Sequence, residues 1–152
     1  MNFDRSERGI LQALQSDGRM TNAELAKAIG SSESPCYRKV RKLEEQGVIS
    51  GYRAEVDQRL LGLPITAFVQ VSIDKGDDSS SARFLERVDD EQHIIECHAM
   101  SGHADYLLKV VARDLDHFSR ICMQGILRYP GVKDLESHFS LQVIKRGAAL
   151  PV

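Results

Sequence analysis

A chain of 152 residues holds one medium domain or two small ones, and a hydrophobic content of 42% is enough to pack cores, which excludes global disorder. No apolar run approaches the ~20 residues of a membrane span, and the charged start MNFDRSERG lacks the apolar region of a secretory signal. A net charge of −2 does not by itself point to nucleic acid. The part up to Leu60, however, carries 10 Lys+Arg against 9 Asp+Glu, and the remainder 10 against 13, with a cationic cluster at Arg38, Lys39, Arg41 and Lys42.

The first predicted helix spans 4–15, with Ile10, Leu11 and Leu14 as its apolar stripe and Phe3 beneath. A turn by composition, Ser16-Asp17-Gly18-Arg19, leads to Thr21, an N-cap with Glu24 three residues on. The short helix that follows runs to Ala28, burying Leu25 with Ala28 and Ile29, before the turn Gly30-Ser31. A third helix is capped by Ser32, has acidic Glu33 in its first turn and Pro35 where a missing N–H costs no bond, and stops at Gly47. Wound at 3.6 residues per turn, it stacks Cys36, Val40 and Leu43 on one side. Ser34, Arg38 and Arg41 point the other way, flanked by Tyr37 and Lys42. Two short helices joined by a small-residue turn, the second capped and basic, spell a helix-turn-helix, with a plain helical hairpin as the alternative.

Residues 48–57 alternate only partly, as for a short β wing or a strand linking domains, and Leu60 to Pro64 marks a boundary. Beyond it the rhythm changes. A strand over 65–73 puts Ala67, Val69 and Val71 on one face; Lys75-Gly76-Asp77-Asp78 turns the chain. Ser79 or Ser80 caps a helix burying Phe84, Leu85 and Val88. Strands over 93–100 and 105–112 flank the turn Ser101-Gly102-His103-Ala104. Asp114 caps a helix burying Leu115, Phe118, Ile121 and Cys122, and a last strand covers 132–145 with Leu135, Phe139, Leu141 and Val143 facing one way. The order βαββαβ predicts a ferredoxin-like sandwich. Its open face, with Phe68, Ile94 and Leu107, is expected to be covered by a second copy.

The fold class is therefore α+β. A helix-turn-helix DNA-binding domain is expected over 1–50, a linker strand and hinge over 51–64, and a sandwich and oligomerisation domain over 65–152. The blocks that run in this order are Ile10-Leu11-x-x-Leu14, Gly18-Arg19-Met20-Thr21-Asn22-x-Glu24-Leu25-Ala26, and the stretch from Ser32 through Pro35, Cys36, Arg38, Val40, Leu43 and Glu44 to Gly47-Val48-Ile49. Gly102-x-x-Asp105-Tyr106-Leu107-Leu108, Pro130-Gly131-Val132 and Ile144-Lys145 follow. Together they resemble the Lrp/AsnC, or feast/famine, regulators. The resemblance implies a winged helix-turn-helix joined to a ligand-binding sandwich, homodimers that assemble into octamers, and transcription tuned by an amino-acid effector with no cofactor. Glu33 stands where many members have Pro, and His103-Ala104 where small or acidic residues are common.

For double-stranded DNA the candidates are Thr21, Ser32, Ser34, Tyr37, Arg38, Arg41 and Lys42. The arginine forks suit guanine edges or phosphates, the lysine is a point charge for the backbone, and Thr21 and Ser32 sit at helix N-termini. Thr21 and Ser32 serve equally well as caps alone, and Tyr37 as packing for the wing. For the effector the candidates are Ser101, Gly102, His103, Ala104, Asp105 and Tyr106, with Ser137 as another wall. Gly102 allows close backbone approach, and Asp105 accepts from an α-ammonium or from its own turn. The expected setting is a reducing cytoplasm with buried thiols and no membrane. Three alternatives stand beside this reading. One is a metal- or thiol-sensing regulator using Cys97, His98 and His103, although Cys97 and His98 alternate across a strand. Another is a DNA-wrapping architectural protein. The third is an enzyme with a histidine base, for which no nucleophile, phosphate loop or carboxylate pair is in place.

Overall fold

The computed structural model describes residues 2–74 and 78–152. They form two compact units, one of residues up to Glu55 together with Ile144–Val152, the other Val56–Val143.

The first unit is three helices, α1 (Arg5–Ser16), α2 (Asn22–Ala28) and α3 (Glu33–Glu45). Reciprocal capping boxes start the first two. Glu7 N–H donates to Asp4 Oδ1 at 2.8 Å while Asp4 N–H donates to Glu7 Oε2 at 2.9 Å, and Thr21 and Glu24 repeat the arrangement. Gly30 and Gly47, with φ of 66° and 70°, end α2 and α3. In each case the following N–H reaches back five residues, Ser31 to Ala26 O and Val48 to Leu43 O, both at 2.9 Å, which satisfies last-turn carbonyls. The apolar stripes meet in a core of Ile10, Leu11, Leu25, Ala26, Cys36 and Leu43, with Phe3, Leu14, Ile29 and Val40 partly buried around it. Ala26 takes the inward place expected of Ala28, which is exposed, because α2 is rotated to bring Leu25 and Ala26 together beneath α1.

Two features of this unit depart from expectation. Residues 48–57, expected as a short β wing or a linking strand, form no strand. Residues 144–152, assigned by sequence to the second domain with 144–145 ending its last strand, join the helical unit instead. Gln15 clasps the backbone of Leu150 through both amide atoms, donating to its carbonyl at 3.2 Å and accepting from its N–H at 2.6 Å, and Val152 packs against the core.

The second unit opens on a locked turn. Asp57 Oδ1 accepts the N–H groups of Arg59 and Leu60, and the Gln58 amide donates to Leu63 O at 2.6 Å and to Thr66 Oγ1 at 2.9 Å. Strands β1 (Ile65–Ile73), β2 (Ile94–Ala99), β3 (Tyr106–Ala112) and β4 (Val132–Phe139) make an antiparallel sheet in the order β2-β3-β1-β4. Helix α4 (Asp78–Asp90) and helix α5 (Leu115–Ser119), the latter continued by a π-helical stretch Arg120–Gly125 and a 3₁₀ turn Ile126–Arg128, cover one face. This is the βαββαβ sandwich. Ala67, Val69, Val71, Phe84, Val88, Leu108, Val110, Phe118, Ile121, Cys122 and Ile126 fill its core.

Several expectations shift here. The turn at 75–77 lies outside the described residues; α4 is already under way at Asp78, so Ser79 and Ser80 stand in its first turn rather than at its cap. Leu85 and Leu115, expected inside, are 44% and 63% exposed, since each helix needs only one stripe to cover the sheet. Ile94 pairs with Val110 and packs among the helices; the register slips between Ile94 and Glu96, which leaves Ile95 unpaired and reverses the expected facing. β4 stops at Phe139, and Leu141, 95% exposed, lies beyond the sheet.

Candidate nucleic-acid interface and effector cleft

α3 owes its inward face to Cys36 and Leu43, both fully buried. That anchoring fixes which side chains point out. Tyr37 is 55% exposed, and Ser34, Arg38, Arg41 and Lys42 are exposed with it. Arg38 Nη1 donates to Ser34 Oγ at 3.1 Å, one turn back. Arg41 Nη1 lies 3.4 Å from Glu44 Oε2. The cations on the neighbouring stripe are engaged differently. Lys39 Nζ is 2.6 Å from Asp4 Oδ2 and Lys42 Nζ 3.2 Å from Glu7 Oε1, so both capping acids of α1 serve a second time as partners for α3. Asp4 is held below the ordinary carboxylate range chiefly by the Lys39 hydrogen bond, and Glu7 chiefly by the Asp4 N–H and then by Lys42. Lys42, a sequence candidate for phosphate contact, thus also ties α3 to α1.

Of the two cap candidates, Thr21 Oγ1 accepts the Glu24 N–H at 3.3 Å, the capping bond, and donates its hydroxyl to Glu24 Oε2 at 2.8 Å. Ser32 stands at the N-cap of α3 with no side-chain cap bond and is exposed, leaving its hydroxyl on the surface at a helix N-terminus. The sequence reading missed Asp4, Glu7 and Glu44 as partners of the cationic face. Only the i,i+3 spacing of Arg41 and Glu44 was visible locally; the other two lie 35 residues away in the chain.

The loop between β2 and β3 turns at Gly102, whose φ is 134°. His103 and Ala104 border a cleft of about 230 Å³ together with Gln70 and Ser72 of β1 and Asp134, Leu135 and Glu136 of β4. The strand parity explains this company: Gln70 pairs with Glu136 and Ser72 with Asp134, on the face away from the helices. Asp105 works as a clip, with Oδ2 accepting the N–H of Ile73 at 2.9 Å and its own N–H donating to Val71 O at 3.0 Å. Tyr106 turns to the helix side, its ring 4.9 Å from that of Phe84. Ser137 also faces that side, hydrogen-bonded to the Cys122 thiol, which burial pushes up to about 11. The structure therefore groups His103 and Ala104, with Ser101 and Gly102 exposed on the same loop, and sets Tyr106 and Ser137 apart from them.

Cys97 pairs with Leu108 on the helix side and His98 with Leu107 on the open side, so they do not converge. Among the described residues no three side chains are placed to hold a metal ion, and all three cysteines are free. No helix among them is long and apolar enough to cross a membrane.

Residues 3–50 match the winged helix-turn-helix DNA-binding model, and residues 66–150 match the Lrp/AsnC ligand binding domain. The leucine-responsive regulatory proteins of Escherichia coli K12 and Klebsiella pneumoniae are each 36% identical over 150 residues, 99% of this chain and 92% of theirs. A transcriptional regulator from Neisseria meningitidis, solved in complex with L-Met, superposes with a TM-score of 0.94 at 35% identity, over 99% of this chain and 97% of that one. An AsnC family transcriptional regulator from Agrobacterium tumefaciens gives 0.91 at 34% identity, over 98% and 97%. These relatives are regulators of transcription, not enzymes. With the cationic helix in one unit and the βαββαβ sandwich in the other, the chain belongs to the Lrp/AsnC family of DNA-binding transcriptional regulators.

Proposed function

We propose that the chain reads duplex DNA with the outward face of α3 and that a small amino acid bound at the 101–104 loop alters its DNA affinity or its assembly. The observation that carries the first half is the pair Arg38 and Arg41, exposed one turn apart on a helix whose other side is buried. Ser34 and Tyr37 extend that surface, Ser32 offers a hydroxyl at its N-terminal end, and Lys42 and Thr21 stand at its margin. The geometry suits an element that lies in the major groove with phosphates on its flanks.

The second half draws on the cleft beside His103. Its volume, about 230 Å³, is below the roughly 300–1,000 Å³ of drug-sized ligand sites, a scale that suits a metabolite. Asp134 and Glu136 supply acceptors for an α-ammonium group, Lys133 a cation for a carboxylate, and the glycine turn offers backbone N–H groups. Asp105 would shape this wall rather than touch the effector. Names of relatives support the ligand class: leucine-responsive for the enterobacterial proteins, L-Met for the neisserial complex.

The open sheet face, with Phe68 37% exposed beside Leu107, is proposed as the docking surface for a second copy, and octamers as the assembled form. A cytoplasmic location is part of this proposal, supported by the role in transcription. An effector acts only through a difference in affinity between two states. Isothermal titration across the twenty amino acids tests the sensing half: one of them should bind, and DNA anisotropy or light scattering should change with it. Silence across the panel would remove the effector reading and leave the DNA reading standing.

A further inference from the structure

Tyr52 lies in the segment after α3, half-exposed, with its ring against the turn between α1 and α2; a Cβ built on Gly18 would sit 3.4 Å from Tyr52 Cδ1. Its hydroxyl donates to Glu44 Oε1 at 3.0 Å. The other oxygen of the same carboxylate, Oε2, is the one 3.4 Å from Arg41 Nη1. A carboxylate with both oxygens available grips a guanidinium through two parallel N–H···O bonds, and a guanidinium gripped that way spends one of its donor edges on it and is held in a fixed direction. With Oε1 engaged by the phenol, Glu44 meets Arg41 through one oxygen, at a distance longer than a tight ion pair.

We infer that Tyr52 is a positioning residue for DNA recognition, which by holding one oxygen of Glu44 leaves Arg41 a single, loose anchor and keeps its donor edge turned outward. This rests on the reading of α3 as the DNA-contacting helix, and it deepens that reading by making a residue outside the helix-turn-helix a determinant of what Arg41 can do. The tyrosine ring buttresses the helical turn at the same time, so a test must separate orientation from mere support.

The experiment is a double-mutant cycle on the full chain, with a duplex enriched by the wild-type protein from a random-sequence library as the probe and fluorescence anisotropy at fixed salt as the readout. Tyr52→Phe keeps the ring and removes only the hydroxyl, and unchanged thermal unfolding would establish that the support survives. The expected result is a loss of roughly fivefold in affinity for Tyr52→Phe, the scale of one hydrogen bond. In an Arg41→Ala background the same change should have an effect below about twofold, because the two residues act through one contact. Adding Glu44→Gln to Tyr52→Phe should restore most of the affinity, since a neutral amide cannot fork the guanidinium. Unchanged affinity for Tyr52→Phe while Arg41→Ala weakens binding overturns the inference and spares the reading of the helix. So does an equal loss in both backgrounds. Unchanged affinity for Arg41→Ala removes the reading and the inference with it.

Discussion

Arg38, Lys39, Arg41 and Lys42 look alike in the sequence, yet their surroundings divide them into two pairs. Lys39 and Lys42 reach across to Asp4 and Glu7 of the first helix, while the exposed arginines have only partners on their own helix, Ser34 for Arg38 and Glu44 for Arg41. Arg38→Ala should weaken duplex binding by roughly 1–3 kcal/mol without unfolding the protein, and Lys42→Ala by less than about 1 kcal/mol, as anisotropy titrations would read. The lysines should be visible in acid instead. A carboxylate whose folded value is depressed contributes stability above its unfolded value and loses it as pH falls through the folded one. The thermal midpoint of the helical unit should therefore stay level down to an ordinary glutamate value near 4.5 and fall below it, and replacing Lys39 and Lys42 by Met should flatten that fall. Which lysines find partners was not legible from residue type. Asp4 and Glu7 lie 35 residues from theirs, and only the packing of α1 on α3 joins them. The facing of Arg38 and Arg41, by contrast, follows from helical spacing once Cys36 and Leu43 go inward.

At the scale of elements, local rules were legible wherever one residue sets the backbone. The Thr21–Glu24 capping box, the glycine stops and the bounds of β1 follow from side-chain chemistry and alternation; the Asp4–Glu7 box has the same spacing and went unread. Parity was lost where the chain slips. The unpaired Ile95 turns Ile94 inward, and no composition signal announces a bulge. The family resemblance offers Tyr106 and Ser137 as pocket walls, but strand alternation sends them to the helix side. Glycine stops differ in their surroundings, and this yields a comparison. A Cβ at Gly47 meets nothing within 4 Å, whereas at Gly131, with φ of 77°, it would sit 3.0 Å from Ser80 Cβ on α4. In urea melts, Gly47→Ala should cost about 1 kcal/mol and Gly131→Ala roughly 2–3 kcal/mol, the excess reporting the crowding against α4.

For the molecule as a whole, the second unit has helices on one face only, and Phe68 stands uncovered on the other. Phe68→Asp should shift the mass in light scattering from an assembly to a monomer while the sheet's circular dichroism persists, since a charge there has no cost until two faces meet. The order of elements made this open face readable from the sequence. The destination of residues 144–152 was not, because the contact that marks it, Gln15 with the backbone of Leu150, joins residues 135 apart in the chain.

That last contact gives the molecule an inserted topology. The sandwich occupies the interior of a chain whose two outer pieces make one helical body, so cutting after Glu55 would not release a finished DNA reader. The fragment would lack the strap held by Gln15 and packed through Val152, and a peptide of residues 144–152 added in trans would have to replace it at a large loss of effective concentration. Folding of the sandwich brings the strap back within reach of α1, and its melting turns that short tether into a long floppy loop. The two bodies are thereby linked in stability through the path of the polypeptide alone.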